Sequence, residues 1–133
     1  MSSASNYLEL KILDHVLRND AYTQPTGLWV ALFTGDPGEA GSYADEVSGT
    51  GTAYSRQAIA FNAAASGASA NTSTVTFPTA TANWGTIAHI AIVDSATTGA
   101  GEVLFYGPVS TAKVIETDDT FQITAGNLTI SLD

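Results

Sequence analysis

The first twenty residues of the chain carry hydrophobic side chains at helical spacing. Leu10, Leu13 and Leu17 lie three and four positions apart, and Ile12 and Val16 widen the same apolar face. Side chains three and four residues apart share one side of a helix. The pattern therefore predicts an amphipathic helix from about residue 7 to residue 18, with one broad face that requires burial.

Polar residues predict where this helix begins and ends. Asn6 stands three residues before Glu9, which resembles a capping box with Asn in place of Ser or Thr. Asn19 can adopt the left-handed conformation that often ends a helix. The apolar face either covers the chain's own sheet or packs against another subunit, and the spacing favours neither. As an assembly interface, the face would consist of Tyr7, Leu10, Leu13, Val16 and Leu17.

Beyond residue 24 the hydrophobic period changes from helical to strand-like. Residues 28–34 are apolar on both faces, which predicts an interior strand covered from two sides, with the helix as one candidate cover. Short strands follow from Arg56 onward, with turn residues at 99–101 and 118–119 that each predict a hairpin. The strand after the first of these turns is expected to end before Pro108.

The order of these elements predicts a mainly β fold. One N-terminal helix followed by seven or eight strands is typical of an antiparallel β-sandwich, and jelly-roll and immunoglobulin-like topologies both stay open. A length of 133 residues suits one domain. We expect a single domain over 1–133, with a helical segment at 1–22 and the sandwich at 23–133.

A long polar segment, 35–55, separates the first predicted strand from the rest. It is rich in Gly and Ser, carries several acidic residues and shows no hydrophobic periodicity. Such a segment is uncommon inside a compact domain, so we expect either a functional loop or a mobile one.

The charge balance excludes several classes of partner. The 13 acidic and 4 basic residues give a formal net charge of −9, and the basic residues are scattered. Nucleic acids and anionic membranes attract basic patches, so we expect the chain to bind neither. The chain opens without a basic segment followed by an apolar run, and its apolar stretches have the length of strands. We therefore expect a soluble protein made without a signal peptide.

The sequence offers little catalytic or metal-binding chemistry. The absence of cysteine excludes disulfides, thiolate metal sites and cysteine nucleophiles. His15 and His89 belong to no catalytic or metal-binding motif, and structural positions are expected for both. Asp118 and Asp119 are typical turn residues. We expect no catalytic, cofactor-binding or metal-binding residues and no cofactor, and therefore a protein that is not an enzyme.

A family resemblance extends over most of the chain, from about residue 4 to the end. It rests on NYLE at 6–9, LDHV at 13–16, LWVALFTGDPGEAG at 28–41, VTFPTATANW at 75–84, GTIAHIAIVD at 85–94, and on 104–108 and 119–133. These segments resemble small virion proteins of tailed bacteriophages that are commonly labelled phage tail fibre or minor tail proteins. The resemblance implies a structural protein of the virion, made in the host cytoplasm, with no catalytic residues to carry over.

The resemblance leaves the position in the virion open. The family label favours a tail or fibre component, and a decoration (cement) protein on the outer capsid is the alternative. In both positions we expect a homo-oligomer that contacts other virion proteins. A third hypothesis is a receptor module that binds a host surface glycan, for which Tyr43, Tyr54 and Asp45 are the candidate residues.

Overall fold

One helix and nine strands form the regular structure of residues 2–132, which the computed structural model describes. The helix, α1, is Asn6–Arg18. The strands are β1 (Ser3–Ala4), β2 (Trp29–Phe33), β3 (Gln57–Ala58), β4 (Ala68–Ala70), β5 (Val75–Thr76), β6 (Gly85–Val93), β7 (Val103–Ile115), β8 (Gln122–Ile123) and β9 (Thr129–Ser131). The short strand before the helix was not predicted, because two residues are too few to show a period.

The strands form one large sheet and two small ones. The large sheet has the order β1-β7-β6-β2-β3, and its neighbouring strands are all antiparallel. β4 pairs with β9 and β5 pairs with β8, again antiparallel. This architecture confirms the prediction of a mainly antiparallel β fold with an N-terminal helix, and it provides the strand order that the sequence left open.

The main core lies between the large sheet and the two small sheets. Val30, Leu32 and Ile87 of the large sheet are fully buried in one cluster with Phe77 and Ile123, which lie beside or within the small sheets. Successive residues of a strand point to opposite faces, so the large sheet needs a second cover on its other side.

The polar segment 35–55, which lies between β2 and β3 and is called the acidic segment below, provides that second cover. Phe33 and Val93 are buried on this side of the large sheet, and the ring of Tyr43 stacks on that of Phe33 with centroids 6.3 Å apart. The Tyr43 hydroxyl donates a hydrogen bond to the carbonyl of Gly101 at 2.8 Å. β2 is therefore covered from both sides, as predicted. The cover at Phe33 is this segment, whereas the helix lies against β7.

A buried ion pair fastens the acidic segment to the rest of the fold. The guanidinium of Arg56 faces the carboxylate of Glu46, with Nη2 2.9 Å from Oε1, and the two side chains are 0% and 2% exposed. Nη1 of Arg56 also donates to the carbonyl oxygens of Ser95 and Ala100, at 2.8 and 2.7 Å. The segment is thus tied to the turn between β6 and β7 and is an integral part of the packed structure.

The helix begins at a different cap from the one that its sequence indicated. Ser5 is the N-cap: its Oγ accepts a hydrogen bond from the Leu8 N–H at 3.3 Å, and Asn6 is already helical. Ser5 Oγ also donates to the carbonyl of Val103, which fastens the start of the helix to β7. Asn19 ends the helix with φ at 57°, as predicted. Within residues 2–132, no helix is long and apolar enough to cross a membrane.

Two predictions for the second half of the chain are wrong. β7 does not end before Pro108 but continues through it to Ile115, and the ladder shifts register between Ile87 and His89, opposite the proline. A bulge tolerates a residue without an N–H, which explains the uninterrupted strand. The turn at 118–119 forms, but it does not close a hairpin, because β8 crosses to the other layer and pairs with β5.

Candidate functional site

The helix α1 is attached along one side and exposed on the other. Leu8 is buried and Ile12 half-buried on the attached side, and these residues lie one turn apart. Four other large apolar residues of the helix are exposed by more than half of their area: Leu10 (64%), Leu13 (53%), Val16 (67%) and Leu17 (74%). We call these four residues the exposed ridge.

Tyr7 lies beside the exposed ridge and differs from it. Its side chain is half-buried, and Nζ of Lys11 lies 5.8 Å from the centroid of its ring. The five candidate interface residues of the sequence therefore share one helix, and the described part of the chain leaves four of them largely uncovered.

An apolar groove opens between the large sheet and the β4-β9 sheet. The groove has a volume of about 440 Å³, and among residues 2–132 no charged side chain lines it. Phe61, Phe105 and Ile130 line it and are half-buried, and Leu132 lines it while 55% exposed. The groove therefore presents apolar surface to solvent at the end of the main core.

A larger cavity of about 660 Å³ continues this gap between the layers. It shares Ile92, Phe105 and Ile130 with the groove and extends along β7 towards β8. Its lining is more mixed, because Lys113 and Gln122 contribute to it together with apolar side chains. The two layers of the fold thus remain partly open along β7.

Sequence reasoning did not find the groove. Leu128, Ile130 and Leu132 alternate with polar residues in the way that is typical of a core-facing strand, but Leu132 is exposed at the rim. The signal that would have found it is the run of small residues AAASGASA at 63–70. Such side chains do not fill the space between two layers of a sandwich.

A protein-family model matches nearly the whole chain. The model, Gp80, is described as podophage GP4 fiber I protein gp80, and it matches residues 3–131. This span includes the helix, the acidic segment and all of the groove lining except Leu132. The chain belongs to this phage fibre family. The resemblance to phage tail fibre proteins is thereby confirmed, and the family makes the chain a structural component of a phage virion. No curated protein matches the chain.

The two histidines of this fibre-family protein differ in their hydrogen bonding. Nδ1 of His15 accepts a hydrogen bond from the Tyr22 N–H at 3.2 Å, which ties the helix to the segment that follows it. His89 lies in β6 between Phe33 and Pro108 of the neighbouring strands, and its Nδ1 is buried without a hydrogen-bond partner among the described residues. No group of three or more metal-ligating side chains occurs within residues 2–132.

The tyrosines suggested for glycan contact are packed into the fibre-family fold. Tyr54 is 4% exposed, and its hydroxyl accepts a hydrogen bond from the Leu32 N–H at 3.1 Å. Burial raises the pKa of Tyr54 far above its usual value, and burial likewise raises the pKa of the half-buried Tyr43. Only Asp45 of the three candidates is exposed. Tyr54 therefore faces the core and is not available for contact with a glycan.

Proposed function

We propose that the chain is a non-enzymatic structural component of a podophage tail fibre, and that the exposed ridge, with Tyr7 beside it, is the surface through which it assembles. The observation that carries this proposal is the exposure of four large apolar side chains on a helix fastened at its start. Large contiguous apolar patches on soluble proteins mark interaction sites. Membership of the fibre family supports the position on the tail.

The exposed ridge is well prepared for binding. Ser5 caps the helix and joins it to β7, and Leu8 anchors its first turn, so little chain has to be ordered when a partner arrives. Complete burial of one exposed leucine side chain stabilises an interface by roughly 1.5–3 kcal/mol. The four largely exposed side chains of the ridge therefore form the centre of the proposed interface.

The proposed partners are further copies of the chain and other virion proteins. A net charge of −9 opposes contact with nucleic acid and with anionic membranes. The non-enzymatic role is supported by the positions of the polar candidates: Nδ1 of His15 is occupied by a backbone N–H, and Asp119 accepts the Glu116 N–H at 2.9 Å inside a turn. The proposal includes no cofactor, and synthesis in the host cytoplasm.

Imaging of the intact particle tests the position. Cryo-electron microscopy, combined with a labelled antibody against the chain, is expected to place its density on the tail in a handful to some tens of copies. Hundreds of copies over the head would overturn the fibre position and establish the capsid decoration role instead.

A phage carrying changes in the ridge tests the assembly surface. The double substitution Leu13→Gln and Leu17→Gln keeps good helix formers and the net charge, so the chain is expected to fold but to be missing from purified particles. The matched control, Asp14→Asn with Arg18→Gln, keeps the net charge, changes a solvent-accessible ion pair on the polar side of the same helix and should be incorporated normally. Mass spectrometry measures the copy number, and full incorporation of the ridge variant would show that assembly does not use this face.

A further inference from the structure

The larger cavity of the fold is bordered by the edges of strands. We call this cavity, about 660 Å³ in volume, the seam. Unbroken runs of residues line it, namely 105–111, 120–124 and 127–130. Since successive side chains of a strand point to opposite faces, a cavity against the face of a strand is lined by every second residue. The unbroken runs indicate that β7, β8 and β9 turn their backbone edges towards the seam.

Most of β7 has no strand beside it on the edge that borders the seam. β1 pairs only with Phe105 and Tyr106, and among residues 2–132 no other strand pairs with β7 on that side. On the opposite side, the ladder with β6 passes from Pro108 directly to Lys113, so residues 109–112 pair with neither neighbour. Unpaired backbone groups of this kind are a template for an additional strand.

β9 presents a second backbone edge to the seam. The Leu132 N–H donates to the carbonyl of Gly67, beside β4, so the even-numbered residues of β9 bond to β4. Bonding directions alternate along an antiparallel ladder, which turns the N–H and C=O groups of Thr129 and Ser131 away from β4. Thr129 lines the seam, and the Ser131 N–H donates to Oγ of Ser2 at 3.1 Å.

The first strand of the chain shows which structure fits between these edges. β1 pairs antiparallel with β7, and Ser2, the residue before β1, lines the seam and bonds to β9. An extended segment therefore already lies between the β7 and β9 edges at one end of the seam. Beyond Ser2, the β7 edge continues from 107 to 115 without such a segment.

The lining of the seam defines the chemistry of a segment that would fill it. Ile92, Ile123 and Ile130 line the seam and belong to the main core or pack against it, so apolar side chains suit the inner side of an added strand. Residues 120–130 carry no charge, and Lys113 is the one charged residue of 105–115. With a net charge of −9 on the chain, a segment without net negative charge is favoured.

We propose that the seam accepts one extended segment of another virion protein, which continues the line of β1, bonds to the β7 and β9 edges and inserts alternate apolar side chains between the layers. In β-strand addition, backbone hydrogen bonds provide affinity and pockets for alternate side chains provide specificity. Every strand within residues 2–132 is already paired in the chain's own sheets, so a second copy has no spare strand to insert. The proposal rests on the structural role proposed above, but it uses a surface separate from the exposed ridge.

Hydrogen exchange in the presence of a strand-forming peptide tests the proposal. The probe is a peptide of about eight residues, a usual strand length, with lysine at both ends and alternating threonine and valine between them. It should slow exchange at the amides of 109–113 and of Thr129 by about tenfold or more, and leave the amides of α1 unchanged. A control peptide with proline at its two central positions lacks the ladder N–H groups and should have no effect.

Two proline variants of the chain test the edges themselves. Thr129→Pro removes an N–H that points away from β4, and edge positions tolerate proline, so the variant should fold and bind the peptide about tenfold more weakly. Thr129→Ala keeps this N–H and should bind like wild type. Ser110→Pro is a second edge variant, because residue 110 pairs with neither neighbouring strand, and it should weaken binding in the same way. Circular dichroism confirms folding.

The outcomes separate the seam from the role in the fibre. Absence of protection in the wild-type chain, equal protection by the control peptide, or folded proline variants that bind like wild type would each refute strand addition at the seam. None of these results would move the chain from the tail, because imaging of the particle measures its position independently. Conversely, density on the head together with protection of 109–113 would refute the fibre position and leave the strand-binding seam.

Discussion

Arg56 shows how a single charged residue organises the acidic segment. Its Nε and Nη2 donate to the Glu46 carboxylate, its Nη1 donates to two carbonyls of the β6–β7 turn, and its guanidinium lies 5.0 Å from the ring centroid of Tyr43. The Gly99 N–H donates to the same carboxylate at 3.0 Å. Removal of one charge from such a buried pair leaves the other uncompensated.

Loss of the Glu46 charge is therefore expected to be strongly destabilising. Glu46→Gln leaves the buried Arg56 cation without its counter-charge, which lowers the free energy of unfolding by about 3–5 kcal/mol. Urea denaturation measures this change. The control Glu39→Gln alters an exposed side chain and should stay within about 0.5 kcal/mol of wild type. A loss below about 1 kcal/mol in Glu46→Gln would contradict the role given to the pair.

Tyr54 is expected to make the fold sensitive to alkali. Burial raises the pKa of its hydroxyl in the folded chain, while the unfolded chain titrates near pH ~10. The unfolded chain thus releases a proton that the folded chain keeps. The resulting stability is complete below about pH 10 and is lost as the pH rises from there towards the folded pKa.

The variant Tyr54→Phe tests this pH dependence. It should show a shallower fall in stability above pH ~10. At neutral pH it should be less stable by about 1–3 kcal/mol, because the Leu32 N–H loses its acceptor. Urea denaturation at a series of pH values compares the two chains. If the free energy of unfolding falls equally steeply with pH in both chains above pH ~10, a group other than Tyr54 causes the alkali sensitivity.

At the scale of elements, α1 depends on its ends more than on its exposed side. Helices of about 13 residues are marginal in isolation, and the exposed ridge gives this one no support from the chain's own core. The exposed Asp14–Arg18 pair, 3.6 Å apart, adds little in water. The N-cap at Ser5 and the anchor at Leu8 therefore hold the helix in place.

Replacement of the cap should loosen the first turn of the helix. Ser5→Ala removes the acceptor of the Leu8 N–H and the donor to Val103, which costs about 1 kcal/mol for the cap alone. We expect faster hydrogen exchange at the amides of residues 7–9. Asn6→Ala is the informative control, because the sequence suggested Asn6 as the cap. Faster exchange in Asn6→Ala, with none in Ser5→Ala, would reverse this assignment.

At the scale of the whole molecule, surface charge and apolar patches act against each other. The acid excess makes copies of the chain repel one another, while the exposed ridge offers them an apolar surface for contact. Salt screens repulsion between exposed charges and leaves the burial of apolar surface largely unaffected at moderate concentration.

Self-association is therefore expected to strengthen when salt is added. An increase from about 0.01 M to about 0.15 M ionic strength shortens the Debye length from ~30 to ~8 Å, which should tighten pairing several-fold. Sedimentation velocity at the two ionic strengths measures the effect. Association that weakens with salt would indicate attraction between opposite charges across the interface, and would contradict assembly through the apolar ridge.

The features that the sequence predicted correctly depend on residues close together in the chain. The helical spacing, the left-handed Asn19, the buried strand β2 and the turn at 118–119 all follow from local side-chain patterns. The family resemblance was also visible in the residues, and the match over 3–131 confirms it. Mainly antiparallel β structure with one N-terminal helix was therefore determined by the amino-acid sequence alone.

The features that only the tertiary structure decided depend on residues far apart in the chain. The helix is apolar both on its Leu8 side and along the exposed ridge, and its periodicity does not say which stripe the fold covers. Arg56 forms hydrogen bonds with residues 46, 95 and 100, which are distant from it in sequence. The packing of the acidic segment therefore could not be predicted from its local residue pattern. The groove likewise exists only because distant strands pack with a gap between them.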